Sequence, residues 1–307
     1  MQLFVEVLLT LVKVIWLWLV AIYKAVVPVR FQVQKDVKGQ VVLITGAGSG
    51  LGRLMSLRFA VLGCKLVLWD VDERGNTETE SLVRSMGAKV KAYRVDLSKR
   101  EDIYKVADQV KADVGDVDIL VNNAGIVTGK NFLDCPDALC EKTMQVNIHA
   151  HFWTTKCFLP SMLTNNHGHI VTIASSAGLF GVSGLSDYCA SKFAAVGFDE
   201  SLRNELSKLG KDGVNTTVVC PFYINTGMFE GVKTRFPNIL PILNPEEVVD
   251  RIVNAVLTNQ EMLIIPRVSY LFYYMKGLVP VKVQETMSRL FGVNDSMDEF
   301  LGRSKEK

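Results

Sequence analysis

Residues 44–53, Ile44 to Arg53, read "ITGAGSGLGR", with glycine at 46, 48, 50 and 52. The run follows the apolar "VVLI" and leads into the amphipathic "LGRLMSLRFAVLG". A glycine fixed in an ordered element costs roughly 0.5–1 kcal/mol relative to alanine, so this concentration implies a need for backbone without side chains. A strand, a glycine turn and a helix in that order supply the reason. Unpaired N–H groups and a partial positive charge at a helix N-terminus bind phosphate, and side chains there would block a pyrophosphate. The spacing is T-G-x-x-x-G-x-G, through Thr45, Gly46, Gly50 and Gly52; Leu51, not glycine, lies three residues after Gly48. A lone glycine loop also fits a structural turn. Here the next strand-like run, "LVLWD", ends in an acid, Asp70. An acid in that place accepts hydrogen bonds from adenosine ribose hydroxyls and repels a 2′-phosphate. Ser49, not lysine or arginine, precedes Gly50. The pattern therefore favours NAD over NADP, with Arg53 close enough to soften that preference.

The strand pattern continues outward. "QVVLIT", "KLVLW", "KVKAYRV", "DILVN", "GHIVTIA", "VNTTVV" and "EMLII" alternate with longer stretches of helical spacing. Alternating strands and helices predict βαβ units and a parallel sheet, and near-continuous apolar strands predict cover on both faces. The expected fold class is α/β, a doubly wound Rossmann-type sheet of about seven strands. Such sheets bind ligands at the C-terminal strand ends, at the topological switch point. The expected organisation is an apolar anchor over 1–30, the Rossmann domain over 36–265, and a less regular tail over 266–307. "VSYLFYYMKGLVPVKV" in that tail mixes aromatics with basic residues, as a membrane-facing or lid segment would.

The first 30 residues differ in kind. "LFVEVLLTLVKVIWLWLVAIYKAVVPV" is long enough to cross a bilayer, which takes about 20 apolar residues. It lacks a basic n-region and a small-residue cleavage site, so it does not read as a removed signal peptide. Glu6, Lys13 and Lys24 fall on one narrow helical stripe. A single polar stripe suits an interfacial helix or a tilted anchor with snorkelling lysines. Arg30, Lys35 and Lys38 follow the segment, which puts its C-terminal side in the cytoplasm.

Composition narrows the classes further. The chain has 307 residues, 49% of them apolar, enough for a large core. A net charge of +2 without basic-aromatic clusters argues against nucleic acid. Cys64, Cys135, Cys140, Cys157, Cys189 and Cys220 form no CxxC, and the histidines complete no zinc pattern. Free thiols in a reducing compartment, with no metal site, are expected.

A second signal is "SDYCASK", with Tyr188 and Lys192 four apart on one face of a predicted helix. A free tyrosine titrates near 10 and is a poor base at neutral pH. A nearby ammonium and a positive nicotinamide favour the phenolate. Ser175, thirteen residues upstream at the end of "HIVTIAS", can hold a substrate oxygen beside the tyrosine. Asn147 in "QVNIHAHF" is a candidate to anchor a water relaying protons through Lys192.

With these motifs in order, residues 38–265 resemble the short-chain dehydrogenase/reductase family. "TGAGSGLG", "NNAG" at 122–125, Asn147, Ser175 and "YCASK" carry the resemblance. It implies a tetrad of Asn147, Ser175, Tyr188 and Lys192, with Tyr188 as acid/base and Ser175 against the substrate. It implies cofactor contacts along the loop (Gly46, Ser49, Gly50, Leu51, Gly52) and from Asp70, Asp96, Asn123, Tyr188, Lys192, Ile224 and Thr226. Asp96 would face adenine, Asn123 the ribose, and Ile224 and Thr226 the carboxamide. One departure is Pro221-Phe222, where the family often has Pro-Gly.

"GSGLGRLMSLRFA", "VLWDVDERGNTET", "NNAGIVTGKNFLDCPD" and "CPFYINTGMFEG" are similar to the epidermal and membrane retinol dehydrogenases within that family. This implies oxidation of all-trans-retinol to retinal with NAD at the endoplasmic reticulum membrane, extending to lipid droplets. A lipophilic alcohol, membrane lipid and a second copy of the chain are the partners it brings. The apolar "INTGMFEGVKTRFPNILPILNP" reads as a lid over a greasy substrate. Two other readings stay open. One is a 17-beta-hydroxysteroid dehydrogenase, since the sequence does not separate a sterol from a polyene. The other is a non-catalytic membrane adaptor that keeps NAD as a structural ligand.

Overall fold

The computed structural model describes residues 1–302. Two units are distinct, Met1–Asp36 and the chain from Val37 onward. The first is dominated by helix α1, Gln2–Val26, with no buried residue and Glu6, Lys13 and Lys24 along it. Its 25 residues rise about 37 Å at 1.5 Å each, against a hydrocarbon core of about 30 Å.

The second unit is built on seven parallel strands: β1 Val41–Thr45, β2 Lys65–Asp70, β3 Val90–Arg94, β4 Ile119–Asn122, β5 Gly168–Ile173, β6 Val214–Pro221 and β7 Met262–Ile265. Their order is β3-β2-β1-β4-β5-β6-β7. All seven expected strands are present. Strands β1, β4 and β5 are buried throughout, as continuous apolar runs require, whereas edge strand β3 is only partly covered.

Side-chain alternation divides the core into two layers. Val42 and Ile44 face one way, onto Met55 and Phe59 of α2 (Gly50–Val61) and Val83 of α3 (Glu73–Ser85). Val41 and Leu43 face the other way. Their layer includes Val106 of α4 (Arg100–Asp113) and, after α5 (Asp137–Met144), Phe158 of α6 (Ala150–Asn165) and Leu202 of α7 (Ser186–Lys208). Helix α8, Pro245–Leu257, returns to the α2 side through Val249 and Ile252. A short π-helical turn, Gln145–His149, joins α5 to α6.

The winding of the sheet reverses between β1 and β4. The connection leaving β1 goes to one face and that leaving β4 to the other, so the carboxyl ends of these two strands open a crevice.

The tail is more regular than its sequence suggests. It forms α9, Val268–Lys276, and α10, Val281–Leu290. Pro280 stands at the N-cap of α10, where its fixed φ and missing N–H are tolerated. Phe291 then packs on Phe236 and Phe272 at ring separations of 5.5 and 5.1 Å, and Met297 enters a buried cluster with Tyr188 and Tyr223. The tail thus completes one wall beside the crevice.

Phe158 is buried against Trp69 with ring centroids 5.9 Å apart. Phe158→Ala should cost about 3–5 kcal/mol. Denaturant unfolding of the detergent-solubilised chain checks this, and a loss below about 1 kcal/mol would mean that this layer closes over the gap.

Candidate active site

The crevice is a cleft of about 400 Å³. It is lined by Gly46, Ser49, Gly50, Leu51, Asp70, Asp96, Asn123, Ser175, Tyr188, Lys192, Ile224 and Thr226. Two of the expected residues, Gly52 and Asn147, lie behind this lining.

The cradle begins where β1 ends. The Thr45 hydroxyl donates to the Val121 carbonyl at 3.3 Å and accepts from the Asn123 and Ala124 amides at 2.9 and 3.0 Å. The Asn123 side chain donates back to the Thr45 and Gly46 carbonyls at 2.8 and 3.3 Å. Asn123 therefore ties the two switch-point strands together while facing the cleft. Gly46 has φ +67° in the turn that follows. A Cβ on Gly52 would lie 2.0 Å from the Gly46 carbonyl oxygen, so α2 approaches the turn more closely than any side chain permits. Ser49 is the N-cap of α2, leaving the first amides of the helix toward the cleft. This backbone fits a pyrophosphate.

Asp70 is fixed at the glycine-loop end of the cleft. Its carboxylate accepts from the Gly48 and Asp72 amides at 2.8 and 2.9 Å. Arg53 does not offset it across the cleft. Its guanidinium donates to the Gly48 and Gly75 carbonyls at 2.6 and 3.1 Å, to Thr79 at 2.9 Å and to Glu78 at 3.1 Å. Arg53 thus braces the loop against α3. Asp96 is held by the Ser98 amide and hydroxyl and by Lys142 at 3.4 Å. Burial pushes the Asp96 carboxyl up, but these donors together hold it below its ordinary value.

At the other end Tyr188 and Lys192 project from α7. They are 4% and 2% exposed, with the Lys192 Nζ 5.6 Å from the tyrosine ring centroid. Lys192 donates to the Ile173 carbonyl at 2.8 Å, which locks α7 against the end of β5. Burial pushes the Tyr188 phenol above its ordinary value, and the hydrogen-bonding Ser175 hydroxyl works in the opposite sense. Burial also pushes the Lys192 ammonium down to about 8. The Ser175 hydroxyl accepts from the Ala177 amide at 3.1 Å.

Asn147 sits in the π-helical turn with its side chain fully engaged. It donates to the Ile126 carbonyl at 2.9 Å and to Ser191 at 3.0 Å, and accepts from the Ile126 amide at 2.8 Å. Ser191 in turn donates to the Tyr188 carbonyl at 2.7 Å. The amide therefore pins the loop after β4 to the helix carrying Tyr188. Ser191 has only its place inside "YCASK" as a sequence signal. His151 has none. It is 2% exposed, neither ring nitrogen has a partner among the described residues, and burial with the Lys192 charge holds it down to about 3, hence neutral.

An aromatic wall covers Tyr188. Phe229 meets its ring edge-on at 5.8 Å, and Tyr223 and Phe222 continue the wall. Phe222 has no left-handed backbone, so the Pro-Phe departure is accommodated without glycine's freedom. Its ring lines both the cleft and a second cavity of about 540 Å³ bounded by α9 and α10.

Together the switch-point cradle and the Tyr-Lys pair define an oxidoreductase that uses a nicotinamide dinucleotide. The short chain dehydrogenase profile matches residues 40–235. The chain is 55% identical over 274 residues to mouse epidermal retinol dehydrogenase 2, covering 89% of each. It superposes with a TM-score of 0.73 on a short chain dehydrogenase/reductase from Burkholderia phymatum in complex with NAD, 28% identical, covering 81% of this chain and 96% of that one. A metagenomic short-chain oxidoreductase in complex with NADP gives 0.63 at 25% identity, over 75% and 97%. This chain belongs to the short-chain dehydrogenase family.

Gly52→Ala forces the turn and α2 apart. Dinucleotide affinity should fall at least about tenfold (1.4 kcal/mol) with the far-ultraviolet circular dichroism retained, as calorimetric titration would show.

Proposed function

We propose that the chain is a membrane-anchored, NAD-dependent retinol dehydrogenase. It oxidises all-trans-retinol to all-trans-retinal at the cytoplasmic face of the endoplasmic reticulum, with access to lipid droplets. The observation that carries this reading is the burial of Tyr188 and Lys192 between the dinucleotide cradle and the aromatic wall. The similarity to an epidermal retinol dehydrogenase supports the retinoid. So do the aromatic rings of Phe222 and Phe291, which line both the small cavity beside Tyr188 and the larger cavity at α9 and α10. The exposed apolar α1 supports the anchor.

The residues divide the work as follows. Ser175 donates to the alcohol oxygen and presents it to Tyr188. The Tyr188 phenolate takes the hydroxyl proton, and the Lys192 ammonium one turn along stabilises that phenolate. A nicotinamide dinucleotide held along Gly46, Ser49, Asp70, Asn123 and Lys192 would supply the hydride acceptor for the carbinol carbon. Asn147 is a positioning residue, since it holds the Ile126 loop and Ser191 rather than presenting a free amide. The wall keeps water from the reacting carbon.

NAD is favoured because Asp70 stands fixed by two backbone amides, while the Arg53 Nε and Nη2 are engaged by Thr79, Gly48, Gly75 and Glu78. A 2′-phosphate would meet the Asp70 carboxylate. Asp70→Ser should narrow the preference for NAD by about tenfold or more, and equal use of NADP by the unmodified enzyme would overturn the assignment.

Membranes containing the chain should oxidise retinol with NAD faster than estradiol. Tyr188→Phe should lower turnover by about 100- to 10,000-fold with NAD binding intact. In Lys192→Met the residual activity should move to higher pH, because the phenolate loses its stabilising charge and more hydroxide is needed to form it. Undiminished turnover in Tyr188→Phe would remove the tyrosine from the chemistry. An unaltered cellular effect of that inactive variant would favour the adaptor reading, and faster estradiol oxidation would favour the steroid reading. The full chain should stay with membranes through a salt wash, since burial in lipid is hydrophobic; release by salt alone would contradict the anchor.

A further inference from the structure

A separate cluster lies where α5 meets the start of α7. Cys135 ends the short turn Phe132–Asp134, Cys140 is in α5, and Asp187 is in the first turn of α7. The two sulfurs are 3.3 Å apart. Both sulfurs and an Asp187 carboxylate oxygen lie within 4.8 Å of one another. Asp187 and Cys135 are 8% and 9% exposed, and Cys140 is half-buried.

Asp187 is the informative member. It forms no ion pair among the described residues, and a single hydroxyl, that of Thr128, reaches its two oxygens at 2.7 and 2.8 Å. That hydroxyl carries one proton for two acceptors. The amides at the start of α7 add only a partial charge. A carboxylate withdrawn from water needs a cation or a full set of donors. The Cys140 thiol donates to the Cys135 sulfur and the Cys135 thiol to the Pro136 carbonyl, so neither is bonded to the carboxylate. Two sulfur lone-pair donors and a carboxylate thus lie within 4.8 Å of one another.

We propose that Cys135, Cys140 and Asp187 bind one zinc ion, with water as the fourth ligand. Thiolate sulfur and carboxylate oxygen are ordinary zinc donors, at about 2.3 and 2.0–2.2 Å. Tetrahedral bonds of those lengths set the sulfurs about 3.7 Å apart, so the observed pair separates by a few tenths of an ångström on binding. Sulfur excludes magnesium and calcium as preferred occupants. The exchange is not a redox step: Zn²⁺ displaces one proton from each thiol, giving two Zn–S bonds and two protons released to solvent. The ion ties α5 to the turn that precedes Tyr188. The proposal stands apart from the retinoid reading, because binding is measured without substrate or dinucleotide.

The test uses the full chain in detergent micelles with thiols kept reduced by a phosphine. Zinc alone is titrated against a chromophoric chelator, and cadmium is added separately to read the thiolate charge-transfer absorption. One zinc per chain and a cadmium band of two thiolates are expected. Cys135→Ser and Asp187→Asn should each weaken zinc at least tenfold, the Cys135→Ser/Cys140→Ser pair should abolish it, and Cys157→Ser should leave it unchanged. Absence of saturable one-to-one binding, or of the cadmium band on the unmodified chain, would overturn the proposal. So would undiminished binding in the double variant. The cadmium reading needs no substitution, so misfolding of a variant does not rescue the idea.

Discussion

The Thr45 hydroxyl is the point on which the site depends. It stands at the last residue of β1 and bonds with three backbone groups: the Val121 carbonyl of β4 and the Asn123 and Ala124 amides just beyond it. Parallel strands diverge at a switch point because their outgoing connections cross to opposite faces. A cleft there needs open strand ends, yet open ends leave amides without partners, which burial penalises. Thr45 and Asn123 supply those partners locally. The backbone stays satisfied, and the crevice keeps a fixed width for the glycine turn and the loop carrying Gly125.

From that hinge two requirements separate along the cleft. On the proposed reading, the adenosine end needs bare backbone and one carboxylate, which Gly46, Gly52 and Asp70 would supply. The reacting end needs ionisable groups that are dry but anchored. Lys192 and Tyr188 are almost wholly buried, and burial alone opposes charge on each. The four-residue spacing on α7 places the Lys192 Nζ 5.6 Å from the Tyr188 ring centroid. The Ile173 carbonyl, Ser191 and Asn147 keep that helix in register with β5 and the β4 loop.

Much of this was legible in the sequence because it rests on local patterns. The seven strands follow from short apolar runs, and the glycine turn, Asp70 and the Tyr188–Lys192 pair follow from spacing. What escaped is set by tertiary partners. Arg53 lies where a phosphate ligand could be, and only the fold shows its guanidinium spent on Gly48, Gly75, Thr79 and Glu78. The Asn147 amide bonds to Ile126 and Ser191, partners far away in the chain. The tail reads as irregular because its two helices are short and their support comes from Phe236 and Tyr223, distant in the chain. His151 carries no local pattern at all.

The central claim is that the Thr45 hinge holds the dinucleotide cleft open at the right width. Thr45→Val keeps the shape of the side chain and removes only the hydroxyl. Calorimetric titration of NAD into the full-length variant tests this directly. The account predicts a folded protein whose NAD affinity is lower by about tenfold or more, the loss of buried hydrogen bonds expressed at the cleft. A folded variant that binds NAD as tightly as the unmodified chain would contradict it.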